Sequence, residues 1–153
     1  MQSTKSKLRL IGRREFISCP FLGVLNVEAK IDTGAYTSSI HCESLWINYE
    51  NSKPILYFTI NEAGPEPLRF EEFSQKKIKN SFGEMEERYV IKTLVGIGKK
   101  KIWSTVSLSN RDNMRYPVLI GRRLMKGKFL IDVNRIHTGG IGLKTFTPYK
   151  QKL

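Results

Sequence analysis

An apolar segment that runs directly into Asp32-Thr33-Gly34 is the feature that most constrains the fold of this chain. Val24 to Ile31 is predicted to form a strand, and the small residue Ala35 follows the tripeptide. Gly34 lets backbone approach closely, and the Thr33 hydroxyl can hold a turn by hydrogen bonds. The tripeptide alone also fits an ordinary Asp-Gly turn between two strands, so its interpretation depends on the rest of the chain.

A later segment of the chain indicates what supports the Asp32-Thr33-Gly34 turn. Tyr116 to Arg122 is another apolar run that ends in glycine, and a helix-like stretch, Arg123 to Lys126, follows it. Retroviral-type aspartic proteases pair an Asp-Thr-Gly loop with a later apolar-apolar-Gly-Arg segment, whose strand supports the catalytic loop. The sequence therefore predicts that a site at Asp32 is supported structurally by Leu119, Ile120, Gly121 and Arg122.

The rest of the chain is predicted to form mostly strands. Glu87 to Val95 and Lys101 to Leu108 favour a hairpin, and Pro54 to Ile60 is rich in β-branched and aromatic residues. Leu8 to Cys19 indicates a pair of strands around Arg13-Arg14. No linker divides the chain into two parts.

Four signatures, taken in order, resemble the bacterial retropepsin-like proteins long labelled ATP-dependent zinc proteases, which are often found beside ATP-grasp glutamate ligases. The signatures are Ile11 to Phe16, Lys30 to Ala35 with Thr37-Ser38, Ser109 to Arg122, and Lys128 to Val133. The resemblance covers most of the chain. It implies a mostly β fold, a closed or partly open acid-protease (retropepsin-like) β-barrel with one short helix. We expect a single domain over residues 1–153, with loose tails at 1–6 and about 145–153.

The resemblance also implies a metal-independent aspartic endopeptidase with Asp32, Thr33 and Gly34 as its catalytic loop. Because Asp-Thr-Gly occurs once, a two-carboxylate site needs a second copy of the chain. We therefore expect a homodimer in which an Asp32/Asp32′ dyad and a bridging water hydrolyse peptide bonds. Substrate backbone is expected to lie against Gly34 and Ala35, where side chains are small.

Retropepsins close a mobile hairpin, the flap, over their substrate. By resemblance the flap should lie between the catalytic loop and the Gly96 to Gly98 turn, and Phe73 to Arg88 is the segment that fits. Asn80 to Gly83 would form its tip, and Ser81, Phe82 and Gly83 are the predicted substrate-binding residues. An ordinary charged surface loop is the alternative interpretation.

The residues do not favour a metal or a nucleotide cofactor. A zinc-protease helix needs two histidines one turn apart with a glutamate between them, and a phosphate loop needs G-x-x-x-x-G-K-[ST]. The chain has neither pattern, and no C-x-x-C. A zinc site assembled in space is the remaining alternative, and its ligands would be Cys19, His41, Cys42 and His137. We expect no metal and no cofactor.

The net charge of +12 indicates an anionic partner. RNA, the ribosome or acidic polypeptides would all respond to such a charge, although the chain has no RNP1, KH or C2H2 motif. The neighbouring glutamate ligases favour glutamate-rich protein as substrate. No run approaches the length of a membrane helix, and Met1 to Lys7 lacks the apolar core of a signal peptide, so a cytoplasmic protein is expected.

Two other function classes stay open from the sequence. One is a module of the same fold that binds peptides or glutamate tails without cutting them. The other is a basic ribosome- or RNA-associated factor. The intact Asp32-Thr33-Gly34 favours the peptidase, because binding alone does not need the carboxylate.

Overall fold

The computed structural model describes residues 8–80, 82–110 and 115–140. Within them the chain is mostly β with one short helix, as the sequence predicts. The helix is α1 (Arg122–Met125). The strands are β1 (Arg9–Gly12), β2 (Arg14–Cys19), β3 (Val24–Ile31), β4 (Ser38–His41), β5 (Ser44–Glu50), β6 (Lys53–Thr59), β7 (Leu68–Phe70), β8 (Ser74–Lys79), β9 (Met85–Ile97), β10 (Lys100–Ser109), β11 (Val118–Ile120) and β12 (Phe129–Asp132). The expected tails at 1–6 and 145–153 lie outside the described residues.

The principal sheet closes on itself. Its strands pair in the order β10-β4-β11-β3-β2-β9-β8, and β9 also pairs with β10, so six strands form a ring from which β8 extends. Alternate side chains point into the ring, and they include fully buried residues of β2, β9 and β11 such as Ile17, Ile97 and Ile120. The predicted hairpin of β9 and β10 is confirmed over eight register pairs.

A smaller antiparallel sheet of β5, β6 and β7 packs beside the ring. Phe58 of β6 is buried and its ring lies 5.5 Å from that of Phe70. On the other face Trp46 stacks on Tyr57, and Arg69 is paired with Glu50. The sequence predicts β6 but neither of its two neighbours.

The first and last strands of the described chain pair with each other. β1 runs parallel to β12 as a separate two-stranded sheet. The two strands expected around Arg13-Arg14 are formed, as β1 and β2, but they do not pair with each other. Gly12, the last residue of β1, packs against the backbone that follows β12: a Cβ there would lie 2.2 Å from the Arg135 carbonyl oxygen. The buried Glu15 carboxylate accepts hydrogen bonds from the Gly12, Thr138 and Gly139 amides. These contacts fix the segment after β12 against β1 and β2.

Candidate active site

Asp32 lies immediately after β3, in a turn that its own side chain helps to close. Its Oδ1 accepts a hydrogen bond from the Gly34 amide at 3.0 Å, and its carbonyl oxygen accepts one from the Ala35 amide at 3.2 Å. A Cβ on Gly34 would lie 3.3 Å from Oδ1, which is closer than most side chains tolerate. Glycine therefore leaves room for the carboxylate, which is half-buried, while Thr33 and Gly34 are exposed.

Strand β11 holds this turn from below. It lies between β3 and β4, with Leu119 opposite Lys30 and Ile120 opposite Ile31. The Asp32 amide donates to the Ile120 carbonyl oxygen at 2.8 Å. The strand that follows the sequence motif is thus placed directly beneath the Asp32 loop.

Gly121 and Arg122 hold the far side of the loop. The Gly121 amide donates to Ser38 Oγ at 3.0 Å, and the Arg122 amide donates to the Ala35 carbonyl oxygen at 2.8 Å. The Arg122 guanidinium also donates to the Thr33 carbonyl oxygen at 2.8 Å. All four predicted support residues, Leu119, Ile120, Gly121 and Arg122, are therefore brought to the loop around Asp32.

The segment expected to form a flap is a hairpin of β8 and the start of β9. Lys79 pairs with Met85, and the Asn80 side chain accepts hydrogen bonds from the Phe82 and Glu84 amides across the tip. Gly83 has a φ of 81°, which favours glycine. Phe82 is 83% exposed and lines the groove above Asp32. Ser81 lies outside the described residues.

A groove of about 1220 Å³ runs between the hairpin and the Asp32 loop. Among the described residues, Asp32 is the only acidic side chain that lines it, whereas eight basic side chains do. These are Arg13, Arg14, Lys30, Lys77, Lys79, Arg88, Arg115 and Arg122. The sequence gives the excess of positive charge but does not place these eight side chains in one groove. Glu86 pairs with Arg88 and Glu28 with Arg14, and the other basic side chains leave the groove with a net positive charge that attracts anions.

The cysteines and histidines do not converge in this way. Both cysteines are buried free thiols, and burial raises the pKa of Cys19 to about 12 and that of Cys42 to about 11, so both stay protonated. His41 pairs with Glu43 at 3.3 Å and His137 with Glu28 at 2.5 Å. No cluster of three His, Cys, Asp or Glu side chains in the described part of the chain could hold a metal ion, so the alternative zinc site is not formed there.

The sequence model of the RimB-like family, described as retropepsin-like aspartic endopeptidase RimB, matches residues 10–139. The chain belongs to this family. The resemblance inferred from the four sequence signatures is thereby confirmed. The RimB-like match covers the Asp32 loop, the hairpin and β11 together.

None of the helices in the described ranges is long and apolar enough to cross a membrane.

Curated relatives of this RimB-like chain carry a different name. Proteins named probable alpha-L-glutamate ligase from Shewanella halifaxensis and Desulfotalea psychrophila are 34% and 33% identical over 139 and 135 residues. These alignments cover 80% and 81% of the chain, yet the chain spans only 28% of the length of either relative. A solved structure of a Legionella pneumophila protein with unknown function has a TM-score of 0.70 and 25% identity, covering 87% of this chain and 99% of that one.

Proposed function

We propose that this RimB-like chain is an aspartic peptidase that hydrolyses acidic polypeptides, with glutamate tails on proteins as its main substrate. The observation that carries the proposal is the groove, in which Asp32 shares the lining with eight basic side chains that would hold anionic substrate. We further infer that the ring of strands is the acid-protease barrel of retropepsins, open on the side of the groove.

The glutamate ligase relatives favour this substrate class. The matching region is a minor part of each relative, so the same unit occurs within proteins named for joining α-L-glutamate. A unit that hydrolyses peptide bonds in glutamate chains would trim what such a ligase makes. We therefore propose a functional link between this chain and a glutamate ligase.

The chemistry requires two carboxylates, and the chain has one Asp-Thr-Gly. In a homodimer with two-fold symmetry, two Asp32 side chains would face each other and share one proton. The ionised carboxylate takes a proton from a bridging water, whose oxygen bonds to the scissile carbonyl carbon. The protonated carboxylate donates its proton to the carbonyl oxygen. When the tetrahedral intermediate collapses, the C–N bond breaks and the leaving nitrogen takes a proton from the dyad.

An exposed apolar face suits the second copy. Leu10 of β1 and Leu130 of β12 are register partners, and both are at least 40% exposed. Leu8 lies on the same face, with Val133 and Ile136 exposed close by along the chain. Apolar surface of this kind is typical of interfaces between subunits. We propose that the β1–β12 sheet contributes to the dimer interface.

Leu10→Glu is expected to shift the chain from dimer to monomer and to reduce peptidase activity in parallel. The reason is that a buried, unpaired carboxylate at the interface would oppose association. Sedimentation velocity over a concentration series measures the shift. Tyr49→Glu is the matched control, because Tyr49 is 73% exposed on β5, outside the groove and the β1–β12 sheet. Equal effects of both variants, or none of Leu10→Glu, would exclude this sheet from the interface.

The substrate class is tested with two peptides that differ only in an α-linked tail of glutamate or glutamine. We expect the glutamate peptide to have a kcat/KM about tenfold higher at low salt, because the groove attracts its carboxylates. Added NaCl should reduce this preference, since salt screens exposed charges. Equal cleavage of the two peptides would contradict an acidic substrate.

The two other function classes predict different results. A binding module would bind the glutamate peptide and leave it intact at every pH tested. An RNA- or ribosome-associated factor would bind RNA with a steep salt dependence that survives Asp32→Ala.

A further inference from the structure

We propose that Arg14 and Lys30 form an anion subsite beside Asp32, which holds the side-chain carboxylate of the substrate residue next to the scissile bond. The proposal rests on the peptidase function proposed above and adds the residues that set its specificity. Arg14 of β2 and Lys30 of β3 are direct cross-strand partners, and both line the groove.

Two like charges placed directly opposite each other destabilise a sheet. The nearby acid compensates them only in part. Glu28 Oε1 lies 3.7 Å from an Arg14 guanidinium nitrogen, and its Oε2 is 2.5 Å from His137 Nε2. One carboxylate is thus divided between two partners. Among the described residues no carboxylate lies within 4.0 Å of the Lys30 ammonium, and Lys30 is exposed. An anion from outside the chain would relieve the repulsion.

The position of Lys30 relative to Asp32 determines which substrate side chain contacts the subsite. Lys30 is the second-last residue of β3, Asp32 follows the strand directly, and both line the groove, about 7 Å apart along the backbone. A residue whose peptide bond lies at the Asp32 carboxylate would therefore place its own side chain, or that of its neighbour, over Lys30.

The groove surface beside Lys30 combines an apolar contact with positive charge, which suits a glutamate side chain. Leu119, the register partner of Lys30 on β11, is half-buried and lines the groove. Its apolar surface would contact the two methylene groups of a glutamate, while Lys30 and Arg14 pair with the carboxylate. A glutamine of the same shape would keep the first contact and lose the second.

The kinetic test uses a peptide series in which each residue flanking the cleaved bond is glutamate or glutamine. Wild type is expected to prefer glutamate at one flanking position by about tenfold in kcat/KM, since hydrogen bonds to charged groups are strong. Lys30→Gln should remove that preference and leave the glutamine peptide nearly unaffected. Lys92→Gln is the matched control, because Lys92 is exposed on β9, outside the groove. An equal loss on both peptides, or the same change with Lys92→Gln, would overturn the subsite.

A binding test separates the subsite from the reaction. In an Asp32→Asn background, Lys30→Gln is expected to weaken the binding of tetraglutamate about tenfold, with little effect on tetraglutamine. Its melting temperature should equal or exceed that of Asp32→Asn alone, because the like-charge contact is relieved. Unchanged tetraglutamate affinity, or a fall in melting temperature that marks a structural role, would overturn the proposal. If wild type cleaves no peptide, the peptidase function fails, and this binding result still decides the subsite.

Discussion

Asp32→Asn is expected to abolish peptide hydrolysis and to leave the fold intact. The substitution keeps the shape of the side chain, and an amide oxygen can still accept the hydrogen bond of the Gly34 amide. The backbone bonds of the turn, from the Asp32 and Ala35 amides, do not involve the side chain. What is lost is the group that accepts and donates the proton, so kcat/KM should fall by about 10³-fold or more. A continuous assay of the glutamate-tailed peptide measures this change.

Asp132→Asn is the matched control for this experiment. Asp132 also caps its own turn, by accepting a hydrogen bond from the Asn134 amide at 2.9 Å, but it does not line the groove. Asp132 is the last residue of β12, so this control is measured at a concentration where the variant is dimeric. Its hydrolysis should then change by less than about twofold, because Asp132 takes no part in proton transfer. Full activity in Asp32→Asn, or an equal loss in both variants, would contradict a catalytic role for Asp32.

Gly121→Ala is expected to give the second largest effect, on stability and activity together. A Cβ at this position would lie 2.7 Å from the Tyr36 carbonyl oxygen and 2.9 Å from that of Ala35. Both neighbours are backbone of the Asp32 loop and are held by the Arg122 and Arg123 amides, so they cannot move aside cheaply. Overpacking of this kind costs about 1–3 kcal/mol of the free energy of unfolding. Chemical denaturation would measure the loss.

Gly96→Ala is the control for this glycine. A Cβ there would lie 3.7 Å from its nearest neighbour, the Ser18 carbonyl oxygen, which is ordinary contact. Its effect on unfolding should therefore be well below that of Gly121→Ala. Wild-type stability and activity in Gly121→Ala would show that the β11 segment does not support the loop as closely as its contacts indicate.

The parts of the fold and site that could be predicted from sequence are those carried by contiguous residues. Strand β3 begins and ends where its apolar run does, and the Asp32 turn follows from the motif itself. The β9–β10 hairpin is formed by neighbours in the chain, so local pattern was enough. The position of β11 under the loop followed from the family resemblance and not from its periodicity.

The parts that could not be predicted depend on segments that meet over long sequence distances. β1 and β12 pair across almost the whole described chain, and no local pattern indicates a parallel partner so remote. β7 has three residues, which is too short to give a periodic signal. The positive charge of the groove could not be predicted for the same reason. Lys30, Lys79 and Arg115 belong to three separate segments and meet only when the hairpin lies over the Asp32 loop.

The central claim, that two chains share one catalytic pair, is tested most directly by mixing wild type with Asp32→Asn. Equal amounts are mixed under conditions that allow subunits to exchange, and hydrolysis is measured at constant total protein. If each site needs Asp32 from both chains, only wild-type homodimers are active, and the mixture retains about one quarter of wild-type activity. Activity of about one half would contradict the account, because each wild-type chain would then act without the carboxylate of its partner.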